Sequence, residues 1–475
     1  MAQPRSAAVV GSGPNGLSAA LCLAEAGYAT TVFERNTAIG GAARSAELTQ
    51  PGFVHDVGSA VHPLAVGSPF FASLPLQPHG LHWIHPAAPL AHPLDDGTAV
   101  LVGRSVEETA AGLGADADAY RKLLGRLARD WNALVTEALV PPLHVPHHWL
   151  LVLRLAHRVR RGVRSVVAQF GTERARALFA GVGAHANVPL DHVASGAVSL
   201  MLLTAAHAVG WPIPEGGAGS ITRALADLLR QRGGTILTNA PIQNIAQLDW
   251  AELCMLDVTP AQLVDLGQGR LTAAYRGRLS RYRYGPGVFK VDWALSDPIP
   301  WRAAACSSAG TVHLGGTFEE IAASELAAWK GERCDRPFVL LSQPTLFDPT
   351  RAPPGRHIAW AYCHVPSRCA EDATHAIEAQ IERFAPGFRD TVLARSTHGP
   401  ADLEADNPNL VGGDIGGGAM TAPQFPFRPM LALDPYVTPL RGMYLCSSST
   451  PPGPGVHGLC GMYAARTALD RQRRR

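Results

Sequence analysis

The chain has few lysines and little net charge. Lysine occurs three times among 41 basic residues, and the formal net charge is +2 over 475 residues. A charge this small creates no general attraction for a polyanion, so we expect no nucleic-acid partner. No stretch approaches the run of about 18 apolar residues that spans a membrane, so we also predict no transmembrane helix.

The eight cysteines are scattered and form no Cys-x-x-Cys pair. In a chain of this length the pattern indicates reduced, mostly buried thiols rather than a disulfide framework, a zinc site or a redox-active disulfide. The four histidines from His79 to His92 have no partner at ligand spacing, so we predict no metal site. Because an apolar strand begins within the first ten residues, with no secretion signal before it, we expect a cytoplasmic protein.

The most informative segment is a strand, a glycine turn and a helix near the start of the chain. Val9 and Val10 lead into the turn Gly11-Ser12-Gly13-Pro14-Asn15-Gly16, and Glu34 lies 23 positions after Gly11, at the end of the next apolar run. This is the βαβ fingerprint of a dinucleotide-binding fold. Its glycines let the backbone approach a diphosphate at a helix N-terminus, and its acid accepts hydrogen bonds from a ribose.

Two further glycine-rich turns follow the fingerprint. Gly40-Gly41 with Arg44 could pass close to a phosphate or ribose, although a plain turn with a surface arginine has the same pattern. Near the other end, the segment 448–458 is rich in proline and glycine and leads into a helix over about 459–470. It offers a second helix N-terminus to an electron-rich group.

Residues 149–167 predict a basic amphipathic helix. Leucine and valine side chains follow one face, four arginines occupy the opposite arc, and no acidic residue occurs between 138 and 172. Such a helix can lie on an anionic membrane surface. A helix packed on the core with a solvated arginine face fits the same pattern, and both interpretations stay open.

Together these segments resemble the FAD-dependent oxidoreductases of the phytoene-desaturase-like family, within the flavin amine oxidase superfamily. Within that family the chain resembles the branch of pyridine nucleotide-disulfide oxidoreductase domain-containing proteins. The resemblance rests on the fingerprint with Glu34, on Gly40-Gly41, on Gly216-Gly217, on the turn 239–242 and on the segment 450–458. That last segment fits the Thr-x-Pro-Gly-x-Gly-Ile/Val-x-Gly pattern of the family's desaturases. It has His457 where they usually have proline.

The resemblance implies an α/β fold with a Rossmann-like FAD-binding domain of the glutathione-reductase type and a substrate domain of mixed β-sheet and helices. The FAD-binding domain would combine 1–75, 215–285 and 436–475, and the substrate domain would combine 76–214 and 286–435. The cofactor-binding residues it implies are Gly11, Gly13, Pro14, Asn15, Gly16, Glu34, Arg35, Gly40, Gly41, Ala42, Arg44, Ser59, Ala60, Ile242, Gly455, Val456 and His457.

Three side chains are candidates for catalysis. His62 and His457 could take a proton, because an unperturbed imidazole titrates near neutral pH, and each could instead be a histidine that packs beside the cofactor. Lys290 stands in an apolar strand with Asp292 on the same face. It could assist oxygen chemistry near the flavin, as a lysine does in the superfamily's amine oxidases, or form a structural pair with Asp292.

The expected function is hydride transfer from a C–C bond of a lipophilic substrate, with isoprenoids and polyenes as candidates, to N5 of FAD. The alternatives are an oxidase of an amine or another small polar substrate, and a flavoprotein without catalysis. Because no second glycine fingerprint follows a strand, we expect no NAD(P)H domain. The electrons would then leave to oxygen or a quinone, or return to the substrate. The segment 149–167 is a candidate for peripheral membrane contact.

Overall fold

A computed structural model of the protein describes residues 5–422 and 424–474. Its first sheet is parallel and has five strands, which begin with the apolar run that precedes the glycine turn. In spatial order these strands are Thr235–Leu237, Ala29–Phe33, Ser6–Val10, Leu253–Leu256 and Met443–Leu445. Ser6–Val10, in the centre of the sheet, and its neighbour Leu253–Leu256 are almost fully buried, as continuous apolar runs in a parallel sheet should be.

The second sheet is mixed and has seven strands. In spatial order they are Val392–His398, Gly287–Leu295, His357–Val365, Val339–Ser342, Ala309–Leu314, Ala88–Pro93 and Ala99–Val102. All neighbours are antiparallel except Ala309–Leu314 and Ala88–Pro93, which run in parallel. Two small antiparallel pairs join Ser45–Glu47 to Val54–Asp56 and Trp83–Ile84 to Ile213–Pro214.

Helices cover the sheets and fill the region between residues 106 and 208. The α-helices are Pro14–Glu25, Pro63–Val66, Pro69–Ala72, Val106–Ala111, Ala117–Arg129, Trp131–Ala138, Trp149–Val159, Gly162–Val167, Glu173–Ala184, Val193–Ala208, Gly219–Gln231, Pro260–Leu266, Ala273–Leu279, Phe318–Lys330, Thr374–Phe384, Pro400–Asp406 and Leu459–Arg473. Short 3-10 turns span Gln77–His79, Gly114–Asp116, Ile245–Leu248, Ala304–Ser308, Pro344–Leu346, Pro349–Arg351, Phe388–Thr391 and Val411–Gly413.

The two ends of the chain meet at the parallel sheet. The last helix, Leu459–Arg473, packs against the first, Pro14–Glu25, and both contribute to one apolar core with the sheet. A Cβ at Gly461 would overlap the carbonyl oxygen of Asn15, so glycine is needed where the helices touch. This close contact brings the C-terminal turn beside the glycine fingerprint.

The single helix predicted over 149–167 is wrong, because the structure has two helices there. Trp149–Val159 ends before Gly162, which has a φ of +60°, and Gly162–Val167 then starts a new helix. Leu151 and Leu155 pack against the core, as a core-packed face requires. Apolar periodicity continues through the break, so the pattern alone did not reveal it.

Within residues 5–422 and 424–474, no helix is both long enough and apolar enough to cross a bilayer.

Candidate active site

A cavity of about 660 Å³ lies between the two sheets. Glu34, Ile242 and the glycine turn line one part of it. Lys290 and Trp360, from the mixed sheet, line the other part. The cavity therefore leads from a polar cleft at the carboxyl edge of the parallel sheet into an apolar chamber.

The glycine turn forms the floor of the cleft. A Cβ at Gly16 would overlap the carbonyl oxygen of Gly11, and a Cβ at Gly41 would lie 3.3 Å from the Cα of Gly13. The buried side-chain oxygen of Asn15 has no hydrogen-bond partner in the described part of the chain. A bare backbone at a helix N-terminus fits the diphosphate of a dinucleotide. The amide oxygen of Asn15 is a hydrogen-bond acceptor, so it is left for a hydroxyl of the ligand rather than for its phosphates.

Glu34 is buried and held in place at one end of the cleft. Its carboxylate accepts hydrogen bonds from Ser12 N at 3.1 Å, from Ser12 Oγ at 2.6 Å and from Asn36 N at 2.8 Å. Each carboxylate oxygen can accept more than one bond, so lone pairs remain for the hydroxyls of a ribose.

Most residues predicted for the cofactor line this cavity. They are Gly11, Gly13, Pro14, Asn15, Glu34, Arg35, Gly41, Ala42, Ser59, Ala60, Ile242, Gly455 and Val456, and the catalytic candidates His62 and Lys290 line it as well. The structure thus brings together segments that lie hundreds of residues apart in the sequence.

Three other residues predicted to bind the cofactor do not line the cavity, but they donate hydrogen bonds to residues that do. The N–H of Gly16 donates to Asp257 Oδ2 at 3.0 Å, and the N–H of Gly40 donates to Ser12 Oγ at 3.1 Å. The guanidinium of Arg44 donates to both oxygens of Asp406. Arg44 is therefore already paired with a carboxylate, so it is not a free cation for a phosphate.

The side chain of His457 does not line the cavity. Its Nδ1 accepts the N–H of Leu459 at 3.1 Å, so the imidazole satisfies one of the unpaired N–H groups at the start of the last helix. Burial lowers the pKa of His457 to about 4. These contacts fit a structural role better than the predicted role of proton acceptor.

His62 is the better placed of the two histidines. It is buried in the cavity wall, and its Nε2 has no hydrogen-bond partner among the residues that the structure describes. Burial lowers the pKa of His62 to about 4, so the imidazole is neutral at physiological pH. A neutral ring with a free nitrogen can accept a proton, and the lowered pKa makes it a weak base that releases the proton again at neutral pH.

Lys290 forms an ion pair with Asp292 on the cavity wall. Its ammonium donates to Asp292 Oδ2 and lies 5.8 Å from the ring centroid of Trp360. The carboxylate of Asp292 has no exposed surface, and burial raises its pKa against the opposing effect of Lys290. The structure therefore contains the Lys290–Asp292 pair, which the sequence predicted as one of two alternatives, and Lys290 also faces the cavity.

The chamber beside Lys290 is lined by residues that the sequence reasoning missed. Trp360 and Tyr362 stack with ring centroids 5.7 Å apart, and Trp211, His185, Leu202, Leu340 and Val288 complete the wall. Trp360 and Tyr362 are two residues apart in the strand His357–Val365, so they share one face of it. The alternation of side chains along this strand could have grouped Trp360 with Tyr362. It does not tell which face of the strand points to a cavity.

Comparison with known proteins agrees with this geometry. Residues 9–71 match the family model described as NAD(P)-binding Rossmann-like domain. Pyridine nucleotide-disulfide oxidoreductase domain-containing protein 2 of Mus musculus is 28% identical over 98% of this chain and 93% of its own length. Phytoene dehydrogenase of Streptomyces griseus is 28% identical over 81% of this chain and 77% of its own length. The chain is homologous to both proteins.

A solved structure of putrescine oxidase has the same fold. It aligns over 99% of both chains with a TM-score of 0.61 and 19% identity. The predicted family resemblance and fold class are confirmed, and the relatives and structural neighbours belong to the predicted class of FAD-dependent oxidoreductases. The substrate is not given by these relatives.

Proposed function

We propose that this protein binds FAD in the cavity between its two sheets and dehydrogenates a C–C bond of a lipophilic substrate in the apolar chamber. The observation that carries the proposal is the continuity of the cavity. A cleft that fits a dinucleotide opens into a chamber lined by Leu202, Leu340, Trp211 and Trp360. Bound there, FAD would supply the acceptor for a hydride at its N5 atom.

The residues of the cleft have distinct tasks in this proposal. The backbone N–H groups of Gly13 and Asn15 hold the diphosphate, and Glu34 holds the adenosine ribose. The backbone at Ile242 meets the adenine. Gly455 and Val456 precede the last helix and would lie beside the flavin ring, where a helix N-terminus favours negative charge.

The division of the chain into domains follows from the same assignment. The segments 1–75, 215–285 and 436–475 would form the FAD-binding domain, and 76–214 with 286–435 would form the substrate domain. The five strands of the parallel sheet fall in the first group of segments, and the seven strands of the mixed sheet fall in the second.

The chamber favours an apolar substrate for two reasons. Its aliphatic and aromatic walls stabilise apolar surface that leaves water, and they exclude water from the reacting bond. The charged group Lys290, which faces it, is paired with Asp292. Dehydrogenation removes a hydride from one carbon of the bond and a proton from the neighbouring carbon. In this arrangement the free Nε2 of His62 takes up that proton.

Anaerobic mixing of the FAD-loaded protein with a panel of apolar polyenes and isoprenoids tests this function. Bleaching of the oxidised flavin band by one of them is the expected result. A matched pair of variants, Trp360→Ala in the chamber and Trp250→Ala on the surface, locates the reaction. Loss of bleaching is expected for the first variant alone. Failure of every apolar donor to bleach the flavin would overturn the proposal.

An oxidase of an amine is a second candidate, which the stacked rings of Trp360 and Tyr362 favour. Aromatic side chains beside the flavin can hold a cationic amine, and the chamber supplies them. The ammonium of Lys290 lies beside the same rings and would repel a second cation. Peroxide production with amines in air would establish this candidate, with oxygen as the acceptor in place of a quinone.

Peripheral membrane contact through 149–167 belongs to the same proposal, since a membrane holds lipophilic substrates. Trp149, Leu150 and Leu153 expose half or more of their surface, next to the exposed Arg154. Apolar anchors beside cations are typical of a helix that lies on an anionic bilayer. Vesicles with anionic lipid should capture the protein, and high salt should release it. Capture that ignores lipid charge and salt would contradict this contact.

A further inference from the structure

Asp257 lies directly beneath the glycine turn. It follows the strand Leu253–Leu256 at the carboxyl edge of the parallel sheet, and its Oδ2 accepts the N–H of Gly16 at 3.0 Å. A Cβ at Gly13 would lie 3.1 Å from the same oxygen, and a Cβ at Gly11 would lie 3.1 Å from the Cβ of Asp257. The carboxyl group is therefore packed against the backbone that is to receive a diphosphate.

Among the described residues, the carboxyl group of Asp257 has no compensating cation. Asp257 is 8% exposed, and no ion pair to it is present within residues 5–422 and 424–474. The titratable groups that face it are Glu34 after the second strand, Cys446 after the last strand and Cys460 in the last helix. These groups are neutral or negative, so none of them stabilises an ionised Asp257.

Burial is the main reason why the pKa of Asp257 is raised to about 7, and the nearby Glu34 adds to the effect. The hydrogen bond from Gly16 opposes them. The group is therefore about half ionised at neutral pH before any ligand binds.

A diphosphate on the turn would bring two further negative charges close to Asp257. In a buried site, charges a few ångströms apart interact much more strongly than in water. A protonated Asp257 has no such repulsion, and its O–H can donate a hydrogen bond to the ligand. The ligand should therefore bind the protonated form in preference.

We propose that Asp257 is part of the dinucleotide site and is neutral when FAD is bound, so that FAD binding takes up a proton wherever Asp257 is ionised in the FAD-free protein. The inference rests on the proposed function, because it requires the diphosphate on the glycine turn. It adds to that function a residue that acts on the affinity for the cofactor and takes no part in hydride transfer.

Calorimetric titration of FAD into the FAD-free protein tests the proposal. Repeating it in buffers with different enthalpies of ionisation gives the number of protons bound with each FAD. We expect nearly one proton at pH 8 and about a tenth of one at pH 6, and a dissociation constant that rises about tenfold between these pH values. No proton uptake by the wild-type protein at pH 8 would overturn the proposal.

Two variants assign the proton to its residue. Asp257→Asn should bind FAD without proton uptake and with little pH dependence. Asp227→Asn removes an exposed carboxylate outside the cavity, and it should keep the wild-type behaviour. Equal proton uptake in the wild type and in Asp257→Asn would contradict the assignment. Absence of FAD binding at every pH would instead contradict the proposed function.

Discussion

Lys290 and Asp292 show how a single pair of residues can serve both stability and the site. The two charges lie in a strand that is buried throughout, and the lysine faces the cavity. Removing one partner of a buried pair leaves the other charge uncompensated, which costs more free energy than removing both.

The first prediction concerns this pair. Lys290→Met should lower the free energy of unfolding at pH 8 by about 3–5 kcal/mol, because Asp292 stays buried without its cation. Urea denaturation at several pH values measures the effect. The loss should shrink at low pH, where Asp292 is protonated, and the double variant with Asp292→Leu should lose less than Lys290→Met alone. A double variant that loses the sum of both single effects would refute the coupling.

The second prediction concerns the stability contribution of Asp257. Its pKa of about 7 in the folded protein exceeds the ordinary value of 3.8. The folded state therefore binds the proton more tightly than the unfolded state, so stability falls as pH rises from about 4 to 7 and stays low above that. FAD-free Asp257→Asn should lack this loss, which is on the order of 4 kcal/mol. Urea denaturation across this pH range tests it, and parallel curves for both proteins would contradict it.

Sequence reasoning identified backbone positions better than side-chain roles. The glycines and Glu34 follow from the strand-turn-helix pattern, because a diphosphate needs a bare backbone there. His457 was expected near the flavin, yet its ring accepts the N–H of Leu459. A motif fixes the path of the chain, whereas the direction of a side chain depends on neighbours from distant segments. Asp257 was missed for the same reason, although its place after a parallel strand was a signal.

At the scale of elements, the break between the helices Trp149–Val159 and Gly162–Val167 is the feature that periodicity did not reveal. Gly162 has a φ of +60°, and a Cβ there would lie 2.5 Å from the carbonyl oxygen of His192. Backbone from another part of the chain therefore decides where the helix ends.

The third prediction tests that break. Gly162→Ala should destabilise the protein by about 2 kcal/mol or more, because the added methyl group meets backbone and the φ is unfavourable. Gly125→Ala is the matched control, since Gly125 lies in the helix Ala117–Arg129 with open space around it. Thermal unfolding of both variants gives the comparison. An equal change in the two melting temperatures would refute the role assigned to Gly162.

The fourth prediction concerns the exposed face of the helix Trp149–Val159. Trp149→Ala combined with Leu153→Ala should weaken binding to anionic vesicles about tenfold or more, because two apolar anchors are lost. Trp250→Ala is the control, since Trp250 is also half exposed and lies outside this helix. Flotation with vesicles of defined charge measures both. Equal binding by both variants would show that this face is not the contact.

At the scale of the whole molecule, the cavity is made by bringing together the two ends of the chain and both sheets. Glu34, Ile242, Lys290 and Val456 come from four distant segments and line one space. The α/β class and the parallel sheet could be predicted from the glycine fingerprint and the apolar runs. The chamber around Trp360 could not, because its walls depend on how the mixed sheet and the helices between residues 173 and 208 pack together.

The central claim is that this cavity binds FAD. The direct measurement is the visible spectrum of the purified protein after addition of FAD and removal of unbound ligand, followed by identification of the released chromophore. We predict an oxidised flavin spectrum with one FAD per chain, and loss of binding when Gly13→Val fills the cleft. A colourless protein that binds no FAD at any pH from 6 to 8 would contradict the claim.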